Sequence, residues 1–173
     1  MFLSIKKIPI VSWSSKKPLN LKPKLSSVFF LILGLTLFGL GEGLLIVSSS
    51  GASPWSVLAQ GISLNLGLSI GTITFFVSIA VLILWIPLNQ KPGIGTILNA
   101  IIIALMIDIC IKFVSTPDNI YSQLILAVIA VLTVGIGGGI YLVANLGAGP
   151  RDGLMVGLQN KTNLPIAVVR AFI

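Results

Sequence analysis

The sequence predicts an all-α fold, a polytopic transmembrane helical bundle built from two repeats of inverted topology, the second of them truncated. Three observations carry this expectation. The 173 residues are 55% hydrophobic and only 9% charged, whereas a soluble domain carries about 25% charged residues. The apolar residues are gathered into blocks at 28–47, 70–88, 94–114 and 124–144, each near the roughly 20 residues a helix needs to cross the bilayer core. A stretch marked by glycine and proline recurs without gaps at an offset of 96 residues. Alternating ten-residue segments are absent, which excludes a transmembrane β-barrel.

In chain order, residues 1–24 are expected to form a disordered, basic cytoplasmic tail with an interfacial patch near residues 8–13. Six of the eleven basic residues lie there (Lys6, Lys7, Lys16, Lys17, Lys22, Lys24), with no acid among them. The tail lacks the small-residue cleavage site of a signal peptide and is expected to be retained. Residues 25–173 form the membrane domain, with repeat one at about 25–115 and an incomplete repeat two at about 121–173. Basic residues beside a span stay on the cytoplasmic side. The loop at 48–69 has no charge and falls outside. The loop at 89–93 holds Lys91 and falls inside, 115–123 holds only Asp118 and falls outside, and 145–163 holds Arg151, Asp152 and Lys161 and falls inside. The expected localisation is therefore a multi-pass protein of the bacterial cell membrane with a cytoplasmic N-terminus. The net charge of +7 belongs to this orientation signal; a nucleic-acid partner would need a folded soluble module or interleaved aromatics.

The recurrence pairs Gly39 with Gly135, Gly41 with Gly137, Gly43 with Gly139, Gly51 with Gly147, Ala52 with Ala148, Pro54 with Pro150 and Gly61 with Gly157. Each unit reads as a long span ending in glycines, a G-A-x-P turn, a short helix and two further spans. The short helices, 54–66 and 150–161, are too short to cross and are expected to be re-entrant or interfacial. With three crossings per unit the second copy enters from the opposite side, an architecture common in secondary transporters. A fifth apolar block begins near Leu164, and by the offset the second unit's later spans would fall near 166–184 and 190–210.

The G-A-S-P-W turn supplies candidate residues. Ser53 suits an N-cap and Pro54 the first helical position; Pro150 repeats the pattern, followed by Arg151 and Asp152. Such a helix start favours an anion or a carbonyl oxygen, although both turns also read simply as the stop of one helix and the start of another. Trp55 reads as an interfacial anchor. Glu42 and Asp108 are carboxylates inside spans, roughly 8–9 Å below the outer boundary at 1.5 Å per residue, and intramembrane acids serve protons, cations or basic substrate groups. Asp108 has Lys112 four residues on, so a structural ion pair competes with function. Glu42 has no local partner and is the leading candidate. Arg170 reads as a snorkelling residue. Gly39/Gly43 and Gly135/Gly139 have the small-xxx-small spacing of close helix packing. G-L-G-E-G-L is no nucleotide loop, since it follows no strand and lies within a span.

With no histidine and one cysteine, Cys110, inside a span, zinc, histidine-ligated haem and disulfide chemistry are excluded within this chain; no cofactor or metal is expected.

G-L-G-E-G-L, the two copies of L-x-x-G-A-x-P, and K-P-G-I-G-T-I-L-N-A followed by the Asp108 span resemble the YczE/YyaS/YitT-type bacterial integral membrane proteins, from about Ser27 to Ile173. The resemblance implies five or six spans and a chain some forty residues longer. It carries over no activity and no catalytic residues.

Two function classes fit. A small secondary transporter or permease of unknown substrate follows from the repeat, the broken-helix turns and the buried acids, with Glu42, Asp108, Ser53, Pro54, Pro150, Arg151 and Asp152 along the ligand or ion pathway. The alternative is a non-transporting accessory protein whose basic tail docks a partner protein or anionic lipid. An enzyme is not expected, because no nucleophile–base constellation is present. The expected partners are the lipid bilayer and a small molecule or protein, not nucleic acid.

Overall fold

The computed structural model describes residues 11–172 and contains no strand among them. Seven helices follow one another: α1 (Leu25–Val47), α2 (Pro54–Leu66), α3 (Ile70–Leu84), α4 (Ile94–Phe113), α5 (Ile120–Ala144), α6 (Pro150–Thr162) and α7 (Ile166–Phe172). Side chains start several of them. Ser53 Oγ accepts the Ser56 amide at the head of α2, with Pro54 as the first helical residue. Ser69 accepts Thr72 N ahead of α3, and Asn119 accepts Tyr121 N ahead of α5, so each cap satisfies an otherwise orphaned amide.

α1, α4 and α5 are each long and apolar enough to cross a membrane, while α2 and α3 meet at 114° and could form a fourth, broken span only together. The expected span at 70–88 is thus corrected to a 15-residue helix ending at Leu84. Pro87 lacks an amide donor and disfavours helical backbone at Ile86, and the chain continues in turns, with Leu88 N bonded to Trp85 O at 3.1 Å.

α1 is the central element, held between α4 and α5 by two glycine faces. Gly34 and Gly41 lie against α5. A Cβ at Gly41 would stand 2.8 Å from Val134 N and 2.9 Å from Ala130 O. A Cβ at Gly137 would stand 2.5 Å from Phe38 N and 2.7 Å from Gly34 O. Residue numbers rise on one helix as they fall on the other, so α1 and α5 are antiparallel. Gly39 and Gly43 take the other face, against Ile103 and Met106 and against Cys110 and Ile107, so α1 and α4 run parallel. Leu31, Leu35, Ile103, Ile107, Tyr141, Ala144 and Leu146 form the core between the three. Outward residues such as Phe29, Phe76, Phe113 and Leu132 remain exposed, as lipid-facing side chains do.

The expected packing role of Gly135 and Gly139 is corrected: a Cβ at either would meet nothing within 4 Å. On α5 the close contact is made by Gly137, which stands on the α1 side. Gly135 and Gly139 border open space that Phe38 and Glu42 of α1 also line.

The backbone path also recurs at the 96-residue offset. α2 and α6 have 13 residues each and start at Pro54 and Pro150; α3 and α7 start at Ile70 and Ile166. Positive φ occurs at Ser49 (54°) and Asn145 (52°), at Gly51 (149°) and Gly147 (121°), and at Gly67 (67°) and Asn163 (55°).

The expected disorder of the tail is corrected for residues 11–24. Ser15 N donates to Ala144 O at 3.0 Å, Asn145 Nδ2 to Ser15 O at 2.8 Å and Ser27 Oγ to Trp13 O at 2.6 Å, while Trp13 stacks on Phe30 at 4.3 Å. The free end of α5 offers polar groups that the tail satisfies. Lys16, Lys17, Lys22 and Lys24 stay exposed; Lys6, Lys7 and residues 8–10 of the expected patch lie outside the described residues.

Candidate functional site

The helix starts at Ser53 and Gly149 bring two short helices to one cavity. α2 begins beside the last third of α1. There Ser53 Oγ donates to Glu42 Oε2 at 2.9 Å and Ser56 Oγ donates to the same oxygen at 2.8 Å. The two hydroxyls also stand 2.9 Å from each other, so they and the carboxylate oxygen form one hydrogen-bonded cluster. Glu42 is 7% exposed and sits at the head of α2, where the helix dipole favours a negative charge. Its other oxygen, Oε1, has no protein hydrogen-bond partner among the described residues. Gly41 and Gly43 flank it because α5 and α4 approach α1 on either side, leaving the carboxylate directed between them.

α6 begins at the opposite end of the α1–α5 pair. Trp85 Nε1 donates to Pro150 O at 2.9 Å. Thr96 Oγ1, fully buried, donates to Ala148 O at 2.7 Å and accepts Gly93 N at 3.1 Å. Gly95 N donates to Leu146 O at 2.8 Å. These bonds fasten the second G-A-x-P turn to the end of α3 and the start of α4. In the first turn of α6, Asp152 accepts a hydrogen bond from the Tyr141 hydroxyl of α5.

Between the two helix starts lies a cavity of about 360 Å³, its wall including Glu42, Ser53, Ser56, Asn99, Tyr141 and Asp152, within the size range of small-molecule sites. Arg151 of α6 and Arg170 of α7 line it together with Glu42, and also line the adjoining recess with Pro54 and Met155. Gly41 is level with Ala130 and Val134, so the Glu42 and Tyr141 clasps stand roughly 14 Å apart along α5 at 1.5 Å per residue. Each clasp joins a long helix to the short helix that follows it. The polarity is exchanged: in the first the long helix supplies the carboxylate, in the second the hydroxyl.

The structure thus brings together Glu42, Ser53, Arg151 and Asp152 of the sequence candidates, with Pro150 on the same cavity and Pro54 on the adjoining recess. Asp108 stands elsewhere. It accepts Ser69 Oγ at 2.6 Å and Gly71 N at 2.7 Å, capping α3. These groups, rather than Lys112, satisfy it, and Lys112 Nζ lies over the Phe113 ring at 5.6 Å. The helix start is a nearer and better-directed donor than an exposed lysine. Trp55, expected as an interfacial anchor, is half-buried and packs against Val81, Trp85 and Leu154 while lining the cavity. Arg170 is exposed and also lines the cavity.

Ser56, Asn99 and Tyr141 were not singled out from the sequence. Asn99 and Tyr141 carry a signal, a polar group inside an apolar span. Ser56 has none, because its partner lies 14 residues upstream across a chain reversal.

A family model described as a family of unknown function, DUF6198, matches residues 25–173. A Haemophilus influenzae protein described as uncharacterized is 40% identical over 167 residues, 96% of this chain and 76% of the relative. The Bacillus subtilis uncharacterized membrane protein YczE is 30% identical over 144 residues, 82% of this chain and 66% of the relative. The uncharacterized protein YyaS of the same organism is 28% identical over 145 residues, 82% of this chain and 72% of the relative. No solved structure matches the chain.

Proposed function

The chain belongs to the DUF6198 family as a multi-pass membrane protein, and we propose that it is a small secondary transporter of inverted-repeat architecture whose substrate occupies the cavity between the two short helices. One observation carries the reading: Glu42, buried within an apolar span, is held by two hydroxyls from a short helix whose start opens on that cavity. A carboxylate is costly at membrane depth and is retained where it serves a ligand, proton or ion. Broken helices that aim their starts at a shared site are how inverted-repeat transporters bind substrate.

The contact between α1 and α5 supports the repeat. Gly41 meets residues 130 and 134, and Gly137 meets 34 and 38; adding 96 to one set and subtracting it from the other exchanges the two. Two antiparallel helices related in this way imply a local two-fold axis across them, which for spanning helices lies in the membrane plane. The paired helix starts and positive-φ residues agree with it. In this reading the basic tail and the 89–93 loop share the cytoplasmic side of the bacterial cell membrane, and the domain comprises repeat one at 25–115 and part of a second from 121.

The test compares uptake by cells expressing the native protein and Glu42→Gln across a panel of labelled metabolites. Native-dependent uptake that the variant loses, at unchanged membrane insertion, is the expected result. Uptake unaffected by the variant removes Glu42 from the mechanism. A second reading, an accessory protein docking through its tail, is favoured by the anchoring of Trp13 and Ser15 with Lys16, Lys17, Lys22 and Lys24 left exposed. It would be supported by a function lost on replacing those lysines and kept in Glu42→Gln.

A further inference from the structure

The cavity carries charges of both signs that do not satisfy one another. Glu42 and Asp152 line it, as do Arg151 and Arg170. The carboxylates bond to hydroxyls, Glu42 to Ser53 and Ser56 and Asp152 to Tyr141. Neither guanidinium is hydrogen-bonded to either carboxylate among the described residues. Arg151 also sits in the first turn of α6, the end of a helix where a cation is disfavoured and an anion stabilised. A guanidinium there gains most when an anionic group lies between it and the helix amides. Glu42 is more than nine-tenths buried with Oε1 unpartnered, so it presents the complementary acceptor to a cationic group. Phe38 and Trp55 complete this part of the wall, and aromatic faces also favour cations.

We propose that the cavity selects a small zwitterion, its cationic group held by Glu42 and its anionic group by Arg151 and Arg170. The class follows by elimination. An anion without a cationic group leaves Glu42 with its two hydroxyl partners but no counter-charge. An amine without an acid leaves two guanidiniums. A neutral molecule leaves both signs without a counter-charge, a cost set mainly by the buried Glu42, since Arg151 is half-buried and Arg170 exposed. The volume of about 360 Å³ admits a molecule of amino-acid or betaine size, and Val81 and Ile103 in the wall give an apolar side chain a place to lie. This inference rests on the cavity being the substrate site, as the transport reading has it.

The test separates the two. The purified full-length protein is titrated with leucine, glycine betaine, 3-methylbutylamine and 4-methylpentanoate, and the thermal unfolding midpoint is followed. A zwitterion is expected to raise the midpoint where the amine-only and acid-only compounds do not. Glu42→Gln and, independently, Arg151→Gln should weaken the zwitterion about ten- to a hundredfold, the cost of one charge-assisted contact. Stabilisation by the acid or amine alone, or by no zwitterion, overturns the proposed class. If one variant fails to fold, the other decides. Vesicle uptake of the stabilising compound is then measured: binding without uptake defeats transport and leaves the ligand class standing, whereas uptake of a non-zwitterion does the reverse.

Discussion

Four glycine-to-alanine substitutions on α1 and α5 should divide by sign. At Gly41 the added methyl would stand 2.7 Å from Val134 Cγ2, 2.8 Å from Val134 N and 2.9 Å from Ala130 O; at Gly137 it would stand 2.5 Å from Phe38 N and 2.7 Å from Gly34 O. Carbon contacts prefer about 3.5–4.0 Å, so the helices must separate by close to an ångström. Most of the atoms met are backbone and cannot rotate aside, which places the cost at the upper end of the usual overpacking range, about 3 kcal/mol. Alanine returns about 1 kcal/mol of helix propensity over glycine. The net loss is about 2 kcal/mol, roughly a thirtyfold fall in the folded-to-unfolded ratio. Gly135 and Gly139 have nothing within 4 Å, so their alanine variants keep only the propensity term and should be stabilised by up to about 1 kcal/mol. Reversible unfolding in mixed micelles, titrated with a denaturing detergent, measures all four. Gly41→Ala and Gly137→Ala should lose stability by similar amounts, since each meets its neighbour helix in the same way. Neutral effects at both, or losses equal to theirs at Gly135 and Gly139, would refute the assignment of the packed and open faces.

Two further substitutions separate architecture from site. Thr96→Val keeps the shape but removes the hydroxyl shared by Gly93 N and Ala148 O; it should cost about 2 kcal/mol through the buried groups it strands, read in the same unfolding assay. Asp108→Asn removes the charge that caps α3 through Ser69 and Gly71. It should lower stability by about 1 kcal/mol while leaving uptake intact, and uptake lost at unchanged stability would restore Asp108 to the pathway.

The sequence by itself determined the membrane-crossing character, the helix starts and the recurrence. These depend on local matters that one dimension records: apolar length, a serine or glycine before a proline, and glycines at fixed spacing. The boundaries of α2 and α6 were legible because Ser53, Pro54 and Pro150 act on neighbouring amides. Length alone misplaced the end of α3, where Pro87 decides.

Only the tertiary structure decided which glycines pack and which lie open, because one spacing describes both Gly39/Gly43 and Gly135/Gly139. Their difference is the presence of α4 over the first pair. Only the tertiary structure separated the two acids within the apolar helices. Both stand five residues from the end of an apolar helix, yet the fold carries Glu42 to a cavity and Asp108 to the cap of α3. Ser56, Asn99, Tyr141, Arg151 and Arg170 come from five helices. A cavity is a property of how helices cross, and chain spacing does not encode which polar groups the crossing leaves facing one another.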